Sequence, residues 1–171
     1  LAIDLPNGIS VLDAYGSGDM PQSLELTLQS GLTEGWLAYG VVKWTDWSVV
    51  KQFVSQSYWS SGVPGPGSIN EYYWRDGWTV TGGIAHEFDE RLSGLLAVTW
   101  DRGVATGYDH ASENWTVTSG LAVDCLWGGM FNAGAALSWI AASEETRYGA
   151  ANTAVEAGWA SALNVGYQVA W

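Results

Sequence analysis

Alternating apolar and polar residues run through most of the 171-residue sequence and predict an all-β protein. Two further patterns predict a transmembrane, antiparallel, up-and-down β-barrel. Aromatic residues stand at both ends of several apolar faces, as they do at the two surfaces of a membrane barrel. The connections alternate between short and long, in the manner of periplasmic turns and extracellular loops. We expect residues 1–171 to form a single barrel region with about seven to eight strands.

The last segment, residues 159–171, shows the pattern most clearly. Its apolar face begins at Trp159 and ends at Trp171, twelve residues later. Steps of ~3.3 Å at a ~45° tilt project this length to ~28 Å, close to the ~30 Å of a hydrocarbon core. Trp115 and Trp127 repeat the spacing. These segments are therefore expected to cross a bilayer.

The earlier segments follow the same alternation. Strands are predicted at 1–5, 24–29, 36–47, 78–88, 94–101, 115–127 and 131–139. Short connections are predicted at 31–35, 89–91 and 128–129, on the periplasmic side together with the C-terminus. Long, irregular or polar loops are predicted at 7–22, 48–76, 102–114 and 143–156. The segment 1–5 is shorter than the ~9–11 residues of a spanning strand, which predicts that the chain begins within a strand.

Composition argues against several classes of function. The net charge of −12 leaves nothing to neutralise a phosphate backbone, which argues against a nucleic-acid partner. The single cysteine, Cys125, cannot form an internal disulfide. His86 and His110 are far apart in the sequence, and no nucleophile has a convincing partner. We therefore expect no metal, no cofactor and no enzymatic activity.

Eleven aromatic residues are predicted to form the interfacial girdles of the barrel, in contact with outer-membrane lipid. They are Trp36, Trp44, Trp78, Phe88, Trp100, Trp115, Trp127, Phe131, Trp139, Trp159 and Trp171. The opposite, inward face is predicted to carry the carboxylates Glu25, Glu87, Asp101 and Asp124.

Candidate ligand-binding residues come from the segment 36–47, which is apolar on both faces. Lys43 shares one face with Leu37, Tyr39, Val41 and Trp47, and a lysine at mid-depth avoids lipid. This face is therefore expected to line the lumen as a pocket for an apolar ligand, or to pack against a plug or loop.

The loop that follows the segment 36–47 is unusually apolar for an exposed connection. Phe53 lies in its first part, and we expect it to contribute to a hydrophobic capture surface at the outer mouth. Folding of this part inward as packing is the alternative. Arg75, beside Tyr72, is predicted to hold a ligand carboxylate through charge-assisted hydrogen bonds.

Four runs, in the same order, resemble the FadL/TodX family of outer-membrane transporters of hydrophobic compounds. The runs are IDLP at 3–6, VKWTDWS at 42–48, WRDGWTV at 74–80 and GYQVAW at 166–171. The resemblance covers essentially the whole chain and implies the C-terminal half of a fourteen-stranded barrel, with the plug and first strands absent. It implies passive transport of long-chain fatty acids or other hydrophobic small molecules across the bacterial outer membrane. Trp171 resembles the C-terminal aromatic signal that the barrel-assembly machinery reads.

Two other functions fit parts of the sequence. One is a small structural or anchoring outer-membrane barrel without transport. The other is a soluble, Trp-rich, carbohydrate-binding β-sandwich whose aromatic side chains stack on sugar rings. Retention of a fatty acid by the purified protein favours the transporter over the first alternative. Detergent is an expected partner in vitro, and a need for detergent argues against the second alternative.

Overall fold

Antiparallel β-strands dominate the computed structural model, which describes residues 13–58, 63–125, 128–147 and 152–169. The strands are β1 Asp13–Ser17, β2 Ser23–Thr33, β3 Trp36–Thr45, β4 Gln52–Tyr58, β5 Pro64–Glu71, β6 Gly77–Glu87, β7 Leu92–Asp101, β8 Asn114–Asp124, β9 Met130–Ile140, β10 Ser143–Glu145, β11 Thr153–Val155 and β12 Gly158–Gln168. A short 3-10 helix, Trp47–Val49, follows β3. No helix in the described ranges is long and apolar enough to cross a membrane.

Seven strands form one large antiparallel sheet in the order β12-β9-β8-β7-β6-β3-β2. Each strand pairs with its neighbour in the meander, and the ladder is regular except for a shift between Gly31 and Thr33 in β2. This confirms the all-β, antiparallel prediction. Within the described residues β2 and β12 do not pair with each other, so the sheet is open and no closed barrel is formed.

Short and long connections emerge at opposite ends of the large sheet. The β2–β3 turn, the segment 88–91 and the segment 125–129 join strands at one end. The segments 46–76, 102–113 and 141–157 join strands at the other end, which we call the loop end. The predicted alternation of connection length is therefore present in the described sheet.

The predicted irregular loops contain additional strands. Segment 48–76 holds the β4–β5 hairpin, and β1 from the preceding segment completes a three-stranded sheet in the order β1-β4-β5. The prediction was wrong here because Pro64 and Pro66 suggest a break. A proline lacks the N–H of an interior ladder but is tolerated in an edge strand such as β5. Likewise β10 and β11 pair inside the last loop, whereas the predicted strand 1–5 lies outside the described residues.

The register gives the large sheet two chemically different faces. One, the apolar face, carries the cross-strand row Trp159, Trp139, Trp115 and Trp100 and, further along, the row Leu137, Val117 and Val98. The other, the mixed face, carries small, polar and a few large apolar side chains. The predicted inward carboxylates Glu25, Glu87, Asp101 and Asp124 all occupy mixed-face positions.

Exposure of the two faces is the reverse of that in a water-soluble sheet. On β8 the apolar-face residues Trp115, Val117 and Leu121 are 45%, 47% and 54% exposed, whereas Thr116 and Thr118 between them are half-buried. Ala97, on the mixed face, is the single buried apolar side chain in the described part of the chain. The mixed face is thus the more closely packed of the two, as expected for the concave side of a curved sheet.

The β6–β7 turn, at the end opposite the loops, is held by one carboxylate. Asp89 Oδ1 accepts hydrogen bonds from the amides of Arg91 at 2.8 Å and Leu92 at 2.9 Å. These two amides, Arg91 first, lower the pKa of Asp89 from its ordinary value, because they favour the charged form. The polar turn predicted at 89–91 is thereby confirmed.

Replacing Gly35 by alanine tests the β2–β3 turn. Gly35 has φ of +75°, and a Cβ there would lie 3.1 Å from the Glu87 carbonyl oxygen. We expect Gly35→Ala to lower the free energy of unfolding by about 1–2 kcal/mol, because the left-handed conformation penalises a side chain. Urea unfolding followed by circular dichroism, under one fixed set of solution conditions, measures the change.

Gly82→Ala is the matched control. A Cβ at Gly82 would meet nothing within 4 Å, and its φ lies outside the left-handed region. Its unfolding free energy should change by less than about 0.5 kcal/mol. Equal losses in the two variants would contradict the proposed turn geometry.

Candidate ligand-binding site

Strand β3 presents an apolar wall on the mixed face. Leu37, Tyr39 and Val41 alternate on this face, and Tyr39 stands opposite Gly83 of β6. A Cβ at Gly83 would lie 2.5 Å from the Tyr39 ring, so the ring lies across the glycine. The structure thus puts three of the predicted ligand-binding residues on one surface, together with Lys43.

The fourth predicted wall residue, Trp47, lies beyond the end of β3 in the 3-10 helix. Its indole covers Gly77, the first residue of β6, where a Cβ would lie 2.7 Å from Trp47 Cδ1. Gly77 pairs with Thr45 on the mixed face. Trp47 therefore extends the β3 wall towards the loop end of the sheet.

An aromatic cluster builds on Trp47. The indole of Trp74 meets that of Trp47 edge-on at 5.1 Å between ring centroids, and the Tyr72 ring lies 4.7 Å from Trp74. Tyr73, between them, has φ of 45°, a conformation that non-glycine residues rarely adopt. The strained backbone marks this segment as one that the surrounding loops hold in place.

The other two predicted ligand-binding residues lie elsewhere. The Phe53 ring packs against Gly16 of β1 and against Gly18 just after this strand, where Cβ atoms would lie 2.8 and 3.3 Å from the ring. Arg75 donates from Nε to the Gly103 carbonyl at 3.4 Å and from Nη2 to the Arg102 carbonyl at 3.2 Å. In the described structure Tyr72 therefore belongs to the cluster with Trp47, whereas Phe53 does not. Arg75 makes its hydrogen bonds to the β7–β8 loop.

A pocket of about 360 Å³ opens beneath the loops on the mixed face. Trp47 and Trp74 line one side of it, and Thr79, Asp101 and Asn114 from three neighbouring strands line its base. We call this the outer pocket. Sequence reasoning assigned Asp101 to the inward face but missed the pocket, because its walls come from segments far apart in the chain.

A second concavity, of about 610 Å³, lies mainly on the apolar face. Small residues create it between larger ones: Gly94, Ser119, Ala133 and Ala135 sit among Ile84, Leu96, Leu121 and Leu163. Small residues at apolar-face positions are the sequence signal that would have predicted this groove.

The predicted girdle residues occupy both ends of the apolar face. Six tryptophans stand near the loop end: Trp44, Trp78, Trp100, Trp115, Trp139 and Trp159. Trp36, Phe88 and Phe131 stand near the opposite end, whereas Trp127 and Trp171 lie outside the described residues. Trp78 and Phe88 are ten residues apart. That separation is ~33 Å along a strand, and it would project to ~23 Å at the ~45° tilt that strands have in membrane barrels.

Carboxylates accept hydrogen bonds from the indoles near the loop end. Glu113 Oε1 accepts from the Nε1 atoms of Trp100 at 2.8 Å and Trp115 at 3.0 Å. Trp44 donates to Asp76 Oδ2 at 3.2 Å, and Trp74 donates to Asp109. Several of the surplus acidic residues are thus structural partners of tryptophans.

The two histidines serve local contacts. His86 stacks on Trp36 at 4.1 Å, and its Nδ1 donates to the Gly35 carbonyl at 3.0 Å. His110 lies between the hydroxyls of Ser143 at 2.9 Å and Thr153 at 3.0 Å, which joins the β7–β8 loop to β10 and β11. In the described residues no group of three His, Cys, Asp or Glu side chains is placed to hold a metal ion.

The mixed face combines an apolar wall, an aromatic cluster and a pocket with one carboxylate. Such a surface suits the binding of a molecule that is mostly apolar and carries few polar groups. The chain matches no protein-family model and no curated protein.

Arg75→Met tests the contacts of Arg75. We expect the loop amides near Gly103 to exchange hydrogen several-fold faster, since loss of these hydrogen bonds lowers the local opening free energy by about 1 kcal/mol. Hydrogen exchange measured by mass spectrometry reports the change. Arg91→Met, at the opposite end of the sheet, should leave these amides unchanged. Unaltered exchange in Arg75→Met would remove Arg75 from the loop contact.

Proposed function

We propose that this chain is a region of a FadL-like outer-membrane β-barrel that lets hydrophobic small molecules, long-chain fatty acids among them, cross the bacterial outer membrane passively. The observation that carries the proposal is the exposed apolar face. On the edge strand β12, Trp159, Leu163 and Val165 are 70%, 86% and 70% exposed. An apolar surface of this extent normally marks contact with a partner or a membrane.

Lipid suits this face for a second reason. The tryptophans near the loop end and the aromatic residues near the opposite end bracket aliphatic side chains such as Val117 and Leu137. The ~23 Å projected between Trp78 and Phe88 is comparable to the ~25 Å apolar band of outer-membrane barrels. Indole rings prefer the boundary between hydrocarbon and headgroups, which supports placing the apolar face in a bilayer.

The open edges of the sheet bear on how the barrel would close. Unpaired ladder groups are costly in hydrocarbon, so the proposal requires further strands beside β2 and β12. These two edge strands run in the same direction, because an even number of antiparallel steps separates them. An antiparallel closure therefore takes an odd number of added strands. Seven added strands meet this condition and give the fourteen of the FadL/TodX family.

The β3 wall supports transport of apolar molecules by the mixed face. In a purely water-filled channel, Leu37, Tyr39 and Val41 would expose apolar surface to water without gain. The soluble sandwich alternative is less well supported, because a sandwich covers the apolar face of one sheet with a second sheet. In the described residues this face is instead exposed: Leu121 and Leu137, in the middle of the large sheet, are 54% and 48% exposed.

Arginine substitutions at Leu163 and Asn164 test the membrane location. The two residues are neighbours on β12 and both are exposed, but Leu163 lies on the apolar face and Asn164 on the mixed face. We expect Leu163→Arg to lower the unfolding free energy in lipid vesicles by about 2–4 kcal/mol, as lipid-facing arginines do. Asn164→Arg should cost less than about 1 kcal/mol.

The same pair separates the proposal from a soluble fold. In aqueous surroundings Leu163→Arg would be nearly neutral, because the side chain is already 86% exposed. Equal stability of both variants, or a wild-type protein that stays monomeric in buffer without detergent, would contradict a membrane location.

A charge on the β3 wall tests transport. We expect Val41→Asp in the full-length protein to reduce uptake of a radiolabelled long-chain fatty alcohol by about tenfold, because passage of an alkyl chain beside a charged carboxylate is less favourable by about 1.4 kcal/mol than passage beside valine. The measurement compares uptake of the alcohol by cells that carry the variant and cells that carry the wild-type protein, in a strain that lacks other carriers of the compound. Asn164→Asp, on the mixed face but far from β3, is the control. Unchanged uptake in Val41→Asp would indicate a structural barrel without transport through this wall.

A further inference from the structure

Among the described residues, one charged side chain lines the outer pocket, and its charge is negative. Asp101 lies at the base of the pocket, at the end of β7. Its Oδ1 accepts from the Gly103 amide at 2.8 Å, and its Oδ2 accepts from the Thr79 hydroxyl at 2.7 Å. A carboxylate oxygen has two acceptor positions, so each oxygen keeps one for a ligand.

In the described ranges no cation lies within ion-pair distance of Asp101. Arg75 directs its Nε and Nη2 to the carbonyls of the β7–β8 loop. Lys43 stands in the same cross-strand row as Asp101, but between Glu25 and Thr79. In the described ranges the one ion pair within 4.0 Å joins Glu145 and Arg147. The Asp101 carboxylate is thus oriented by two donors and lacks a paired cation.

The walls of the pocket favour the same kind of ligand. The indole planes of Trp47 and Trp74 are nearly perpendicular, at 88°. A ligand in this corner therefore contacts the face of one indole and the edge of the other. Indole faces attract cations through their quadrupole and also cover apolar rings. Gly77 holds this geometry, because any side chain there would displace Trp47.

We propose that the outer pocket binds the ammonium group of small apolar amines and discriminates against carboxylates. The ammonium donates to the free acceptor positions of Asp101, and the apolar part of the molecule lies against Trp47 and Trp74. A hydroxyl group, which donates one hydrogen bond without a charge, binds less tightly. This inference rests on the proposed function and narrows it. Among the hydrophobic molecules proposed to cross the membrane, amines and alcohols bind at the outer pocket in preference to fatty acids, whose carboxylate is repelled by Asp101.

Three one-ring probes that differ only in their polar group test the ranking: benzylamine, benzyl alcohol and benzoate. Equilibrium dialysis against the full-length protein in lipid nanodiscs, with empty nanodiscs as the baseline, gives each affinity near neutral pH. We expect benzylamine to bind at least about tenfold more tightly than benzoate, with benzyl alcohol between them. This ranking is measured on the wild-type protein, so it does not depend on whether a variant folds.

Asp101→Asn keeps the shape of the side chain and removes its charge. This variant should bind benzylamine about tenfold more weakly than the wild-type protein does, and its affinities for the three probes should lie within about threefold of one another. Asp124→Asn removes a carboxylate at the opposite end of the same face, and the wild-type ranking should persist. Benzoate binding as tightly as benzylamine, no binding of any probe, or equal effects of the two variants would each overturn the inference.

The outcomes separate this inference from the transport proposal. Uptake of an uncharged fatty alcohol together with a preference for benzoate would overturn the ranking and leave transport standing. The predicted ranking in a protein that remains monomeric in detergent-free buffer would support the pocket and overturn the membrane proposal.

Discussion

The apolar face of the seven-stranded sheet has no covering partner in the described chain, and most other features follow from that constraint. A water-soluble domain of this size would bury its aliphatic side chains between layers. Here the described part contains one buried apolar residue, Ala97, on the opposite face. Backbone hydrogen bonds hold the strands together, but the hydrophobic contribution to folding stability must come from whatever covers the apolar face. The proposal of a bilayer rests on this imbalance, with the aromatic bands as its second support.

On the mixed face, large side chains lie flat because glycines stand opposite them on the neighbouring strands. Tyr39 lies over Gly83, Trp47 over Gly77 and Leu95 over Gly120. In each case the glycine leaves room for a ring or branched chain to lie flat across the neighbouring strand. The large side chains therefore cover the sheet as a low wall and leave space above it. A ligand path and the outer pocket both depend on that space.

Acidic residues have two different uses at the loop end. Glu113, Asp76 and Asp109 accept hydrogen bonds from indoles, which holds tryptophans and loops in register. Asp101 differs, because its partners are a backbone amide and a hydroxyl and its charge faces a pocket. The net charge of −12 thus does not describe one uniform acidic surface. The distinction underlies the expected preference for amines over carboxylates.

The sequence by itself determined the features that depend on neighbouring residues. Period-two alternation assigned nearly every side chain of the large sheet to its face, and short turns between consecutive strands dictated an antiparallel meander. Contacts between distant segments were decided only by the tertiary structure. Pairing of β1 with β4 joins segments 13–17 and 52–58, and the outer pocket needs Trp47, Trp74 and Asp101 together. The hydrogen bonds from Arg75 to the carbonyls of the β7–β8 loop belong to the same class of contact. No local pattern encodes such contacts, because they depend on how separate loops pack above the sheet.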